Sequence, residues 1–345
     1  MTFQSDAGLF AHTLDLAGDR VLLVQMSEAD YRQSSFLDNR LLQPVGQTNP
    51  ARSMQWAGWD ELEEASQSVR NDAQFVFHIG HVGSTLIARL LGEARGTLCL
   101  REPQILRQFA ELHALEGQPH SPWPPGLFKR RLDLAVSWLS RTFSAEQRAL
   151  VKATSFVSDI APQILSGKRK AIYLTLTPER YVQTILAGEA SRQELAALSG
   201  ARLQRLNRRL LTANGTEPIS LWGLDEAKRA AMAWACEMTA LTATQSDNIQ
   251  WIDFDAFLAE PATKLTEIAE FLNISISLSD AKKLTSGPIM KQYSKAPEHG
   301  YSAQLREDVL AQAAQSRGKE ISSALQWLDK AAKSHEAIAA ALEHA

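Results

Sequence analysis

Three short stretches carry side chains suited to group-transfer chemistry. The first is Phe77-His78-Ile79-Gly80-His81-Val82-Gly83-Ser84-Thr85, a glycine-interrupted loop between a strand-like and a helix-like segment. In such a loop successive backbone N–H groups converge on an anion, and the following helix adds the positive end of its dipole. Gly80 bounds the loop, and Gly83 can take dihedrals closed to other residues and lets an anion approach the backbone. Ser84 and Thr85 either add hydroxyl donors to that cradle or simply cap the helix. The second stretch is Arg101-Glu102-Pro103. Its carboxylate either takes a proton from a hydroxyl or pairs structurally with Arg101, Arg107 or a helix N-terminus. The third, Val151-Lys152-Ala153-Thr154-Ser155, ends an apolar run in a lysine. That cation either meets a transferring group or snorkels to solvent.

What the loop lacks is also informative. A nucleoside-triphosphatase loop places lysine directly after its last glycine to hold the β- and γ-phosphates, and here that place is Ser84. This argues against ATP or GTP hydrolysis. Asp253 and Asp255 end a later apolar run and mimic a magnesium-holding aspartate, but that pattern is common.

These groups need a scaffold that brings them to one edge. Residues 75–79 form an apolar run too short for a helix, while the apolar positions of 86–91 fall at helical spacing. Further short apolar runs at 97–100, 149–152, 171–176 and 249–254 are separated mostly by helical patterns. The pattern predicts a three-layer α/β fold of P-loop type, with helices on both faces of a central parallel sheet. The loop, Glu102 and Lys152 then share its carboxyl edge, where ligands bind in such sheets. Residues 12–26 alternate around Gly18-Asp19 and read as a β-hairpin, with a helix expected near 59–69. The Pro-rich run 119–126 reads as a surface excursion. Residues 192–211 read as a basic amphipathic, solvated helix packed by Leu195, Leu198, Leu203, Leu206 and Leu210. From residue 322 onward, Leu325, Leu328, Ala332 and Ile338 suggest a docking helix. The division expected is a hairpin extension (1–70), a core (71–310) and a helical tail (311–345).

At 345 residues the chain exceeds the ~250–300 at which single cores stop growing. A formal charge of −3 gives no field that would draw it to nucleic acid or an anionic membrane. Its two cysteines, Cys99 and Cys236, provide neither zinc spacing nor a disulfide framework. The first residues lack a basic region followed by an apolar run, and no stretch reaches the ~20 apolar residues of a membrane span. A soluble, cytoplasmic protein is expected; oligomeric state is not legible.

A glycine followed by two hydroxyl residues resembles the 5′-phosphosulfate loop of the sulfotransferases, whose donor is 3′-phosphoadenosine 5′-phosphosulfate (PAPS). The interval from loop to acidic residue is closest to tyrosylprotein-sulfotransferase-like bacterial proteins, and in that comparison Glu102 matches the catalytic base. Where the family carries Lys or Arg two residues before the last glycine, this chain has His81. Residues 171–184 resemble the strand and helix that bind the donor's 3′-phosphate. Thr184 keeps the hydroxyl, Leu176 occupies the arginine position, and Arg180 is placed to replace it. Residues 251–272 resemble the last core strand and helix. Residues 287–295, with Lys291 and Lys295, either resemble the family's closing loop or form an ordinary surface loop.

The resemblance implies sulfuryl transfer from PAPS, without a metal, to a hydroxyl or amine of a small-molecule or peptide acceptor. Glu102 would be the base, assisted by His81 or Lys152. Gly80, His81, Val82, Gly83, Ser84, Thr85, Arg180, Thr184, Lys291 and Lys295 would hold the donor, and segments 119–126 and 192–211 would wall the acceptor site. Two other readings stay open: a non-catalytic nucleotide-binding protein of the same fold, and a P-loop kinase or NTPase.

Overall fold

The computed structural model describes residues 7–42, 52–66, 70–211, 217–293, 296–300 and 302–344. The N-terminal alternation forms β1 (Leu9–Asp15) and β2 (Arg20–Gln25), antiparallel and closed by a turn in which Asp19 takes a positive φ. Strand β2 pairs on its other side with β3 (Met54–Gly58), so the predicted hairpin belongs to a three-stranded sheet. Only Ala57 of β3 is buried, which is why no apolar alternation announces it. The helix expected next runs Trp59–Ser66.

The five apolar runs each become a strand: β4 (Gln74–His78), β5 (Thr97–Arg101), β6 (Arg148–Lys152), β7 (Ala171–Thr175) and β8 (Ile249–Asp253). They form one parallel sheet in the order β5-β6-β4-β7-β8. Every residue of β4, β5 and β7 is buried, as strands covered on both faces must be. The chain leaves β4 toward the β5 side and later crosses to β7 on the other. The carboxyl ends of β4 and β7 therefore flank the switch point where open α/β sheets place ligands.

One expectation needs correction. The basic helix runs Glu189–Leu210, and its polar face is not simply solvated. Arg202 and Arg205 are buried, Arg205 between Asp159 (2.7 Å) and Glu237 (2.9 Å) and Arg202 against Glu194 (3.1 Å). Glu237 comes from the adjoining Glu226–Thr242 helix, so the charges of the two helices neutralise each other inside. The Pro-rich run 119–126 lies at the surface as expected, anchored by one residue. Trp123 is buried among Trp59, Phe109 and Phe128, with ring centroids 5.7–6.3 Å apart, and Arg131 lies over Trp59 and Trp123.

The tail helix begins earlier than expected, spanning Ala303–Ser334 with a break in helical dihedrals at Arg317. It packs on the helices Pro178–Ala187 and Glu226–Thr242, and a last helix, Glu336–Glu343, follows. Both cysteines are buried and unbridged. No helix among the described residues is long and apolar enough to cross a membrane.

Candidate active site

His78, the last residue of β4, fixes the start of the glycine loop. Its Nδ1 accepts from the Gly80 N–H (3.0 Å), so the ring proton sits on Nε2, which donates to the Ala153 carbonyl (2.9 Å). The loop then curls through positive φ at Gly80 (87°), His81 (55°) and Gly83 (65°) before the helix Ser84–Gly92 begins. A Cβ on Gly83 would lie 2.0 Å from Cζ of Phe254, so close packing and dihedral both require glycine there. For a non-glycine residue such a φ costs about 1–2 kcal/mol. Among the described residues four non-glycines adopt it, and His81 and Glu102 are two of them.

The loop opens onto a cavity of about 430 Å³, walled by its residues 81–85, by Thr184 and Ser191, by Phe254, and by Leu305, Arg306 and Val309 of the tail helix. Two donors of residues in that wall, the Thr85 hydroxyl and one Arg306 nitrogen (Nη2), are buried without a hydrogen-bond partner among the described residues. The other nitrogen of Arg306 (Nη1) meets Asp255 at 2.7 Å, and its guanidinium lies 5.4 Å from the Phe254 ring centroid. A loop of converging N–H groups, a hydroxyl and an unspent guanidinium nitrogen can hold an anion.

The other residues expected to bind the donor are distributed unevenly. Gly83, Ser84, Thr85, His81, Val82 and Thr184 line the cavity, and the Thr184 hydroxyl donates to the Arg180 carbonyl (2.7 Å). Arg180 does not line it: the guanidinium is taken up by Asp255 (2.6 Å) and Glu307. Leu176 is fully buried, its carbonyl accepting from the Trp234 indole (2.9 Å), and does not line the cavity. Lys291 is exposed beside Gln292, which lines the cavity. Lys295 lies outside the described residues. Arg306 was missed by the sequence reasoning, although Ser302, the N-cap of its helix, was a readable signal that a first turn begins there.

His81 faces the start of the Glu189–Leu210 helix, with Nδ1 3.2 Å from Ser191 Oγ and Nε2 3.4 Å from Glu194 Oε2. Burial would raise the Glu194 carboxyl, but His81 and Arg202 outweigh it and hold the group well below the usual carboxylate range. Within segment 192–211, expected to wall the acceptor site, no residue lines this cavity; neither does any of 119–126.

Glu102 and Lys152 stand on the other side of the loop, at the ends of β5 and β6. Lys152 is buried and its ammonium is paired with the Glu102 carboxylate, while the Glu102 N–H donates to the Lys152 carbonyl (2.6 Å). Arg101 is not the partner of Glu102: it holds the carbonyls of Tyr31, Arg32 and Ser34. Asp253 caps the Phe254–Ala259 helix through the Ala256 N–H (2.7 Å), and Asp255 is paired with Arg180 and Arg306, which leaves neither poised for magnesium. Among the described residues no three His, Cys, Asp or Glu side chains are grouped to hold a metal ion.

No family model matches the sequence, and no curated protein matches it. Solved structures of similar fold are sulfotransferases. The sulfotransferase domain from the curacin biosynthetic pathway shares 13% identity over 73% of this chain and 99% of its own, with a TM-score of 0.39. A mouse sulfotransferase complexed with PAP shares 12% over 83% of this chain and 94% of its own, at 0.38. A sulfotransferase from Alicyclobacillus acidocaldarius shares 14% over 74% and 96%, at 0.34. A likeness this distant carries no residue role across.

Proposed function

We propose that this protein transfers a sulfuryl group from PAPS to a hydroxyl or amine of a small-molecule or peptide acceptor, in a reduced, cytoplasmic setting. One observation carries the reading: beside the loop of residues 81–85, two buried donors of cavity-lining residues, Thr85 Oγ1 and Arg306 Nη2, have no hydrogen-bond partner among the described residues. Such donors are costly unless an acceptor completes them, and phosphate oxygens fit. Arg306 takes the part that Leu176 cannot, so the helix starting at Ala303 belongs to the donor site rather than to a separate tail.

Bound PAPS would supply the sulfuryl group; the chain's own residues do the rest. The loop N–H groups and the helix dipole of Ser84–Gly92 stabilise negative charge on the leaving phosphate. Glu102 accepts the acceptor's proton as the new bond forms. Lys152 keeps Glu102 oriented and offsets its charge at the carboxyl edge. Positioning and electrostatics supply most of the rate, as in phosphoryl transfer.

A non-catalytic reading has one observation in its favour, the engagement of Glu102 by Lys152. Calorimetric titration with adenosine 3′,5′-bisphosphate, with ATP plus magnesium as control, tests the nucleotide assignment. Micromolar binding of the bisphosphate alone supports it, binding of neither sinks it, and binding of ATP alone reassigns the site. Turnover with PAPS and a panel of phenols, alcohols and amines then separates enzyme from binding protein.

A further inference from the structure

At the wall of the loop cavity a serine and a histidine stand in series with a glutamate behind them. Ser191 Oγ is 3.2 Å from Nδ1 of His81, and Nε2 of His81 is 3.4 Å from Oε2 of Glu194. The second oxygen of Glu194 is held by Arg202 at 3.1 Å, and Arg202 is buried against Glu237. His81 and Ser191 are 110 positions apart, so the fold makes this alignment, with the loop after β4 meeting the first turn of the Glu189–Leu210 helix. We propose that Ser191, His81 and Glu194 act as nucleophile, general base and positioning carboxylate in the hydrolysis of carboxylic esters bound in this cavity.

The chemistry follows from the order of the contacts. An ionised Glu194 can only accept, so the ring proton sits on Nε2 and the Nδ1 lone pair faces the Ser191 hydroxyl. The roles of the two ring nitrogens are interchangeable for a base; what matters is that one faces the nucleophile and the other the carboxylate. Separations of 3.2 and 3.4 Å are the loose contacts common before substrate binds. Ser191 lies in a helix's first turn, where the dipole favours a developing alkoxide.

The same cavity holds what the next step needs. The N–H groups of the loop, turned together by positive φ at Gly80, His81 and Gly83, are placed to stabilise an oxyanion. Phe254, Leu305, Val309 and Leu310 form an apolar wall for an acyl chain. A volume of about 430 Å³ lies within the ~300–1,000 Å³ of small-molecule sites.

In acylation the Ser191 O–H breaks as Oγ bonds to the acyl carbon, and His81 Nδ1 takes the proton. The ester C–O bond breaks, and that proton passes to the departing alcohol. Water repeats the sequence, its proton going to His81 and then to Ser191 Oγ as the carboxylic acid leaves. No oxidant, metal or nucleotide enters, and neither Glu102 nor Lys152 takes part. The activity shares the loop and cavity with the sulfuryl-transfer reading but none of its acid–base residues.

The test uses the full chain with p-nitrophenyl butyrate and, separately, a fluorophosphonate probe followed by intact-mass and peptide analysis. The expected result is hydrolysis above background and one equivalent of label on Ser191, both lost in Ser191→Ala. Glu194→Gln should lower kcat by about 10²–10⁴ with KM nearly unchanged, which a merely structural role would not produce. Because Glu194→Gln could also disturb folding beside Arg202, Ser191→Cys gives a second reading. Its thiol should be alkylated by iodoacetamide faster than those of Cys99 and Cys236, both buried, the former with its thiol pushed up to about 11 by that burial. Hydrolysis equal in the native chain and Ser191→Ala, label on any residue other than Ser191, or a Ser191→Cys thiol no more reactive than the native two would each overturn the proposal.

Discussion

Replacing Gly83 by alanine should damage stability and anion binding together, for a reason that a second glycine isolates. A Cβ at Gly83 would stand 2.0, 2.1 and 2.8 Å from three carbons of the Phe254 ring. Ordinary carbon contacts are about 3.5 Å or more, so the ring must retreat by roughly 1.5 Å. Phe254 is buried, stacked on Phe257 at 6.2 Å, and lies 5.4 Å from the Arg306 guanidinium. Its displacement therefore moves the cation that faces the cavity. The left-handed φ of 65° costs about 1–2 kcal/mol for alanine, and overpacking a core about 1–3 more, giving about 2–5 kcal/mol. Gly126 is the control. It also caps a helix at positive φ (83°), but a Cβ there would meet nothing within 4 Å. Gly126→Ala should cost only the first component, about 1–2 kcal/mol. Urea unfolding of both variants, with bisphosphate titration of each, gives the comparison. Equal destabilisation, or unchanged bisphosphate affinity in Gly83→Ala, would refute the coupling of loop, ring and arginine.

Arg306→Ala should weaken bisphosphate binding about 10- to 100-fold, the loss of one charge-assisted contact of roughly 1.5–3 kcal/mol, measured by calorimetry. Arg180→Ala should change it much less, since that guanidinium is spent on Asp255 and Glu307. Glu102→Gln should lower sulfuryl-transfer turnover about 10²–10⁴-fold while bisphosphate affinity is kept; unchanged turnover removes Glu102 from the base's role. Glu237→Gln strips Arg202 and Arg205 of a shared buried counter-charge and should cost about 3–5 kcal/mol in urea unfolding. Acid should unfold the protein partly through Asp159. Burial raises this carboxyl, but Arg205, Arg209 and Arg208 outweigh it and leave it below its ordinary value of 3.8. A carboxyl lowered in the folded state contributes stability that is complete above that ordinary value and lost as pH falls through the lower, folded one. The slope of stability against pH below about 4 should thus be shallower in Asp159→Asn, followed by circular dichroism.

The parts of this fold that were legible are those whose signal is local. A parallel strand covered on both faces has to be continuously apolar, and 75–79, 97–100, 149–152, 171–176 and 249–254 each formed a strand where expected. Strand β3 escaped because one buried residue, Ala57, leaves no period to read. The Glu189–Leu210 helix shows the limit from another side. Its leucine spacing gave the helix, but the carboxylates that take its arginines inward, Glu237 and Asp159, lie 32 and 46 positions from Arg205. The cavity tells the same story. Residues 81–85 read from their own spacing, whereas Arg306 lines the cavity with them from a helix far along the chain.

The placement of charge around the loop makes sense of two departures from the sulfotransferase pattern. An arginine at 176 would sit in a fully buried position beneath Trp234, where an unpaired cation costs several kcal/mol. A cation at 81 would sit beside Glu194, whose carboxylate already serves Arg202. The native His81 is likewise engaged by Ser191 and Glu194. Neither position can therefore offer an anion a free cation, and the guanidinium nitrogen that can is carried by the Ala303–Ser334 helix. That helix departs from helical dihedrals at Arg317, which Glu226 and Glu320 hold at 2.7 and 2.5 Å. The segment before the break, with Arg306 tied to Asp255 and Glu307, completes the cavity only while it is packed. An anion at Nη2 of Arg306 is repelled by those two carboxylates, which hold Nη1. Its affinity, followed by bisphosphate titration, should then rise when Glu307 is neutralised, because Glu307→Gln removes one repelling charge without removing Asp255, which keeps the guanidinium in place.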